Sequence, residues 1–416
     1  MKQKLSALLR SPALRAATML MAGGFGFAVA NILLARVLAL SEFGSLSLFL
    51  ALVQLGLTLG PFGIDLSINR HRLSANGALK RWALTTSLLS GLIIAVGASA
   101  FYGIGVGFAA CLAVAAVASS FTRVGSALLQ SQQRFGFSLF VGQIHNYVLL
   151  LAVPVLLLLD TNEALPVAAM IAVSYLITST VGWQASRKGQ GTQTTSPPSK
   201  AWRESLAGFG IILATQVLWQ LERLVIPRTL SMEDLATFAV VAAIAGSPFR
   251  MLQIGIMHTL LPGLRACRTR QEIGRLMKHE GAIVFGAAAA SVVAVLLITP
   301  FIAERFLMGR YDISMALLIA VVVTGSIKVC NGFVSAIVQA FGSTVALTKF
   351  NVLTWIGMLA GTACAAYGAR YGVTGVVYGV GVAWLAMSLA AGLLAIASLR
   401  TWSTDSLTNA AIAAVR

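Results

Sequence analysis

The sequence predicts an all-α polytopic membrane protein of about twelve transmembrane helices, arranged in two pseudo-symmetric six-helix halves. Three observations predict it. Of 416 residues, 58% are hydrophobic and only 10% are charged, whereas a soluble chain carries roughly a quarter charged residues. Apolar runs long enough to cross a bilayer recur from end to end, and no polar block between them reaches the length of even a small domain. The runs are continuous rather than alternating. That suits helices, which bond every backbone group within the segment, and not the two-residue period of a β-barrel.

Taken in order, apolar windows fall at 14–37, 43–64, 82–102, 106–128, 136–159 and 163–184. They resume at 206–228, 236–260, 281–303, 313–339, 346–367 and 373–398. The first window follows a basic leader, MKQKLSALLRSPALR, and Ala28-Val29-Ala30 resembles a signal-peptide cleavage site. The apolar stretch continues through NILLARVLAL and a second window follows at once, so it is read as a retained first helix. The interval ASRKGQGTQTTSPPSKAWRE, residues 185–204, is the one low-complexity linker, and it divides an N-terminal half (1–184) from a C-terminal half (205–416).

Lys and Arg in the short loops set the orientation. With the N-terminus inside, inner segments hold Lys2, Lys4, Arg10 and Arg15, then Arg70, Arg72, Lys80 and Arg81. Further inner segments hold Arg123 and Arg134, Arg187, Lys188, Lys200 and Arg203, and the run from Arg265 to Lys278. The outer turns are poorer: YGIGVG has no charge and DTNE only acids. Both termini are therefore expected on the cytoplasmic side. The same pattern accounts for most of the +17 net charge. Without a basic soluble domain there is no nucleic-acid partner to expect, and loop basicity adds at most an attraction to anionic headgroups of membrane lipids.

Two internal echoes accompany the two-half division. ARVLALSEFGSL (35–46) lies over PRTLSMEDLATF (227–238) without gaps, matching Arg36 to Arg228 and Glu42 to Asp234. SALLQ (126–130) pairs with SAIVQ (335–339), each in the fourth helix of its half. Corresponding helices run the same way, so the repeat is parallel about the membrane normal.

Chemistry within the spans has to rest on polar side chains, since a charge at the bilayer centre costs about 2.5–3.5 kcal/mol on the insertion scale. Lys328 lies near the middle of its window, one turn from Asn331. It reads as a cavity cation, against the plainer alternative of a snorkelling or internally paired lysine. Arg123 and Arg250 lie nearer inner helix ends and Arg36 nearer an outer one, where snorkelling is easier. Asp65 follows the GPFG turn and suits a cap or a local pair. His145 and Asn146 make a polar step in the fifth helix. In WQLERLVIPRTLS (219–231), Glu222 and Arg223 are adjacent, so their side chains diverge by about 100° on a helix. Gln216, Gln220 and Arg223 then share a face as a polar stripe toward a central cavity. Glu222 turns toward Trp219 and Pro227, where Arg36 or Arg228 could meet it. The cavity candidates are thus Lys328, Arg223, Arg36, Arg123, Arg250, Gln216 and Gln220, with Glu222 and Asp65 as ion-coupling candidates.

Four scattered cysteines, with no CxxC pair, suggest neither a metal site nor a disulfide framework. The Gly clusters lie within spans and follow no strand, so dinucleotide and P-loop readings fail. No nucleophile–His–acid set, paired-carboxylate motif, HExxH or large outer loop occurs, which disfavours an enzyme such as a polysaccharide polymerase or transferase. No cofactor is expected.

The stretch LLARVLALSEFGSLSLFLALVQLGLTLGPFGIDLSINR resembles the opening of bacterial polysaccharide (O-antigen) flippases. In that family the first helix ends in an Arg-containing turn, an acidic-aromatic-Gly step starts the second, and a Gly-rich break ends it. WQLERLVIPRTLSMEDLATFAVVAAIAGSPFRMLQIGIMHTLLPGL is similar to the start of the family's second half, where an acid–Arg pair ends the seventh helix and a Pro near Pro262 ends the eighth. The chain departs in having Glu222 where the family usually has Asp, and Phe43 where Tyr is common; neither changes a charge. These flippases belong to the multidrug/oligosaccharidyl-lipid/polysaccharide (MOP) exporter superfamily.

The resemblance implies a non-enzymatic flippase. It would carry a polyprenyl-pyrophosphate-linked oligosaccharide across the cytoplasmic (inner) membrane for O-antigen, lipopolysaccharide, capsule or exopolysaccharide synthesis. Two halves would rock around a cationic cavity, an H+ or Na+ gradient would reset the cycle, and polysaccharide polymerase machinery would be a partner. A drug exporter of the same superfamily would want acidic, aromatic cavity residues, whereas the intramembrane charges here are mostly basic.

The orientation is testable with topology reporters. A reporter joined after Gly189 is expected to be active only in its cytoplasmic form, and one inserted near Thr161 only in its exported form. The opposite pattern at both sites overturns the helix count or the orientation.

Overall fold

The structure, a computed structural model, describes residues 12–187 and 199–415. Lys2, Lys4, Arg10 and most of the expected 185–204 linker lie outside them. Among the described residues every regular element is helical. Among these residues nine helical runs are long and apolar enough to cross a membrane, or ten if the bent pair Phe209–Trp219 and Leu221–Thr229 is one span. One of these runs, Thr344–Thr401, contains two helices parted at the turn Ala369–Tyr371, and Ala22–Val37 is a shorter apolar helix. Counted that way, each of the twelve apolar windows corresponds to a helical stretch.

The chain divides into two compact units, Met1–Val240 and Val241–Arg416. The boundary falls within the helical run Met232–Ala266, downstream of the 185–204 interval.

The first unit contains α1 (Pro12–Val37), α2 (Leu40–Leu59), α3 (Ile64–His71), α4 (Gly77–Tyr102), α5 (Val106–Ser131), α6 (Phe135–Leu158) and α7 (Leu165–Arg187). It continues with α8 (Ser199–Trp219), α9 (Leu221–Thr229) and α10 (Met232–Val241), whose last residue crosses the boundary. Helix α5 is its hub, packing against α2, α3, α4, α6 and α7. Small residues let these helices approach closely. A Cβ on Gly56 would lie 2.7 Å from the Ala116 Cβ, and one on Gly60 would collide with the Ser120 hydroxyl. Ser120 in turn bonds Ser87 across α4 and α5 at 2.5 Å.

The short helix α3 has no counterpart among the apolar windows, because its eight residues alternate polar and apolar character too briefly for a span. Gly63, at φ 80°, turns the chain out of α2, and Ile64 and Ile68 then bury against Leu79, Val124, Leu128 and Trp183. The GPFG turn thus ends the second span and starts a buried interface helix.

The second unit contains a π-turn (Ala242–Gly246), α11 (Ser247–Ala266), α12 (Arg270–Phe301) with a π-turn at Ile302–Phe306, α13 (Met315–Phe341), α14 (Thr344–Gly368) and α15 (Gly372–Val415). Helix α13 packs against α11 and α15, and α14 against α15. The family resemblance implies an end to the eighth helix near Pro262; in the structure Pro262 sits inside α11, which runs on to Ala266. A proline removes one donor and can be absorbed as a bend when neighbouring helices pack around it.

The two loops matched by the internal echo use their acids alike. Glu42 accepts a bond from the Ala164 backbone N–H at 2.8 Å, and Asp234 accepts from the Ser231 backbone N–H and hydroxyl at 3.1 and 2.7 Å. Each acid satisfies N–H groups left open where a helix begins. Beside them, Gly44 packs so tightly on the start of α10 that a Cβ would collide with the Met232 carbonyl oxygen.

That contact yields a prediction. Gly44→Ala is expected to lower the yield of folded, membrane-inserted protein severalfold. Gly142→Ala, where a Cβ meets nothing within 4 Å, should be neutral or raise thermal stability, since Ala is favoured over Gly in a helix by about 1 kcal/mol. Detergent-solubilised melting curves of the two variants decide it; equal behaviour refutes the close approach.

Candidate functional site

The polar residues predicted from sequence fall into separate settings. In the first unit, Arg123 on α5 reaches Asp65 in the first turn of α3, Nε to Oδ2 at 3.0 Å. The carboxylate is mostly covered, with its side chain 11% exposed, while the guanidinium side is 46% exposed. The Gly63 turn and the packing of Ile64 and Ile68 aim Asp65 at α5. Each charge compensates the other next to an apolar core, where leaving one alone would be costly. The pair therefore joins a cavity candidate to an ion-coupling candidate as one structural feature.

The stretch that carries Glu222 and Arg223 is not one straight helix. Helices α8 and α9 meet at Gln220 with a bend of 49°. At Gln220 the backbone N–H is shared between the carbonyls of Gln216 (3.2 Å) and Val217 (3.0 Å), and φ/ψ is −101°/3°, a local tightening that turns the axis. Tyr102 donates to the Leu224 carbonyl at 3.0 Å and ties the bent segment to the end of α4. The expected stripe of Gln216, Gln220 and Arg223 spans this bend. Gln216 is half-buried, Gln220 is 2% exposed, and Arg223 Nη1 donates to Gln220 Oε1 at 3.5 Å, the long end of the range. Glu222 is buried, 3% exposed. Arg36 lies exposed in the last turn of α1. Elsewhere in this unit His145 is buried with its ring stacked on Tyr175 at 4.9 Å, and Asn146 donates to Gln143 at 2.6 Å.

The second unit brings its polar residues onto three packed helices. Lys328 on α13 sets its Nζ over the Trp384 ring of α15, 5.7 Å from the centroid. Helix α11 supplies Arg250 and, one turn on, Gln253. Gln253 packs on α13 where Gly332 leaves room, a Cβ there falling 2.8 Å from its Cγ. Gln253 and Asn331 are 7% and 4% exposed. Asn331 Oδ1 accepts from Ser335, yet Asn331 Nδ2 and Gln253 Oε1 are buried without a hydrogen-bond partner. Buried amide groups in that state are costly, so they mark a place where a polar ligand or water would be stabilised. The π-turn Ala242–Gly246 precedes this cluster, and such turns are frequent near functional sites.

Sequence reasoning reached Lys328, Arg250 and Asn331 in this cluster and missed two members. Gln253 carried a signal, since it lies three residues from Arg250 on one helix face. Trp384 carried none, because only the packing of α13 on α15 brings it beneath the ammonium. In chemical terms the cluster offers cations for phosphate oxygens and amides for hydroxyls, with Trp384, fully buried, supporting the Lys328 ammonium from beneath. Among the described residues no group of three or more His, Cys, Asp or Glu side chains could hold a metal ion.

Comparison with solved structures shows the fold. An inward-facing multidrug resistance MATE family transporter of the MOP superfamily superposes with a TM-score of 0.65 at 15% identity, covering 95% of this chain and 99% of that one. The lipid II flippase MurJ, in an inward closed conformation, gives 0.64 at 13% identity, covering 94% and 92%. A MOP superfamily transporter from Pyrococcus furiosus gives 0.60 at 17% identity, covering 95% and 98%. The chain thus has the all-helical MOP exporter fold that the family resemblance implies. Comparison with curated protein sequences yields no significant match. The family model described as polysaccharide biosynthesis protein matches residues 33–310. That span takes in both echoed loops, the bend at Gln220 and the Arg250–Gln253 face, and it covers well over half of the chain, so this protein belongs to the polysaccharide biosynthesis protein family.

Proposed function

We propose that the protein is a flippase that moves a polyprenyl-pyrophosphate-linked oligosaccharide across the cytoplasmic membrane for cell-surface polysaccharide synthesis. The observation that carries this reading is the second-unit cluster: Lys328 over Trp384, with Arg250, Gln253 and Asn331 on packed helices. From Asp312 to Asp405 the sequence has no Asp or Glu between them, so α13, α14 and most of α15 carry cations without carboxylates of their own. Such a lining favours a diphosphate and disfavours a cationic drug. The amides suit sugar hydroxyls, which a purely apolar pocket could not distinguish. Membership of a polysaccharide biosynthesis family supports the same substrate class, as does a fold shared with a lipid II flippase. Alternating access through a cationic cavity, coupling to H+ or Na+, and contact with polymerase machinery belong to this proposal as well.

The fold by itself fits a drug exporter equally well, since the MATE transporter superposes at least as closely. Charge separates the two. Lys328→Ala is expected to lower export of the lipid-linked sugar by roughly ten- to a hundredfold at unchanged membrane abundance, as loss of one charge-assisted contact of about 1.5–3 kcal/mol implies. Lys328→Arg should retain part of the activity. Surface polymer and reconstituted lipid-linked-sugar translocation are the readouts. Normal translocation by the alanine variant removes the cluster from substrate binding, and efflux of organic cations in its place favours the exporter reading.

The Asp65–Arg123 pair predicts the contrasting phenotype. Asp65→Asn and Arg123→Gln should each reduce the amount of folded protein by leaving one charge uncompensated, while activity per molecule stays near wild type. The exchange Asp65→Arg with Arg123→Asp should recover part of the abundance. If Asp65→Asn instead abolishes activity at full abundance and shifts its pH dependence, Asp65 is an ion-coupling residue rather than a structural one.

A further inference from the structure

We propose that a groove between α14 and α15 is a binding site for one anionic phospholipid. The two helices join through the turn Ala369–Tyr371 and Gly372, at φ 71°. Next to that join their backbones touch: a Cβ on Gly379 would collide with the Cys364 carbonyl oxygen. Larger side chains stand off on either flank and leave a cavity of about 600 Å³, lined by Cys364, Tyr367, Tyr371, Thr374 and Tyr378 among others. That volume lies within the roughly 300–1,000 Å³ typical of ligand clefts.

The groove is amphipathic along its length. Its walls are mainly apolar, and Tyr367, Tyr371 and Tyr378 are 58%, 71% and 41% exposed. In the turn that joins the two helices, between the lining residues Tyr367 and Tyr371, the exposed Arg370 holds its guanidinium carbon 4.9 Å from the centre of the Tyr367 ring. No Asp or Glu lies between Asp312 and Asp405, so neither helix forming the groove offers this cation a carboxylate within its walls. Tyrosines at a helix end are ordinary membrane-interface residues, but that role explains neither the concavity nor the cation. A phospholipid answers both. Its acyl chain fills the apolar trough, and its phosphodiester meets the Arg370 fork and the phenol hydroxyls. Headgroup charge then decides the preference, because a choline ammonium would be brought up against the guanidinium.

The test is native mass spectrometry of the purified full-length protein, delipidated and titrated with phosphatidylglycerol or phosphatidylcholine. The wild type is expected to retain one phosphatidylglycerol in preference to phosphatidylcholine. Arg370→Gln should cut that retention by about fivefold or more, as loss of a charge-assisted phosphate contact implies, whereas Arg310→Gln, in a different turn, should leave it unchanged. A second readout uses Cys364, with Cys111, Cys267 and Cys330 replaced by Ser. Phosphatidylglycerol should slow alkylation of Cys364 in the parent and not with Arg370→Gln. Equal retention by the parent and Arg370→Gln, equal retention of the two lipids, or no protection of Cys364 overturns the proposal. None of these readouts depends on export, so they stand or fall apart from the flippase reading.

Discussion

The constraint on which the structure depends is that hydrocarbon offers no partner to a backbone N–H or C=O. Each span must therefore bond itself as a helix, and tertiary structure is left to side chains at the helix faces. Lipid is as apolar as leucine, so helices associate by close packing rather than by hydrophobic burial alone. That is why the closest contacts run through small residues: Gly56 on Ala116, Gly60 on Ser120, Gly379 on the Cys364 backbone. Removing side chains at those points brings main chains together and leaves grooves beside them, as between α14 and α15.

The same constraint gives irregular backbone a cost, so the places where helices depart from regularity are informative. The bend at Gln220 is supported by a shared N–H bond and by Tyr102 on the Leu224 carbonyl. Pro227 follows within the same short helix and can donate no bond of its own. The π-turn at Ala242–Gly246 precedes the face that carries Arg250 and Gln253. In each unit a break in the helix lies beside buried polar side chains.

Charge is handled differently in the first unit and in the last three helices of the second, α13 to α15. The first compensates internally, with Arg123 on Asp65 and the acids Glu42 and Asp234 bonded to helix N-termini. The second has helices that carry Lys328 and Arg370 with no acid between Asp312 and Asp405, and both cations lie over aromatic rings. A cation over an aromatic face keeps donor N–H groups available to an anion. This asymmetry supports the proposed preference for an anionic over a cationic substrate.

The sequence by itself determined the class, the helical content and the approximate spans, because those follow from hydropathy and the length of a bilayer crossing, which are local properties. It also determined that Glu222 and Arg223 diverge, since adjacent positions on any helix do. It placed Lys328, Arg250 and Asn331 in view, because a polar residue within an apolar window stands out. What it left undecided depended on partners remote in the chain. Trp384 beneath Lys328, Asp65 reaching Arg123 and the orphaned amides of Gln253 and Asn331 exist only through packing between helices. The bend at Gln220 escaped it because glutamine is a good helix former and nothing local forbids a straight axis; the tie from Tyr102 acts across the fold. Periodicity reports which residues share a face, and only the tertiary structure decides what that face meets.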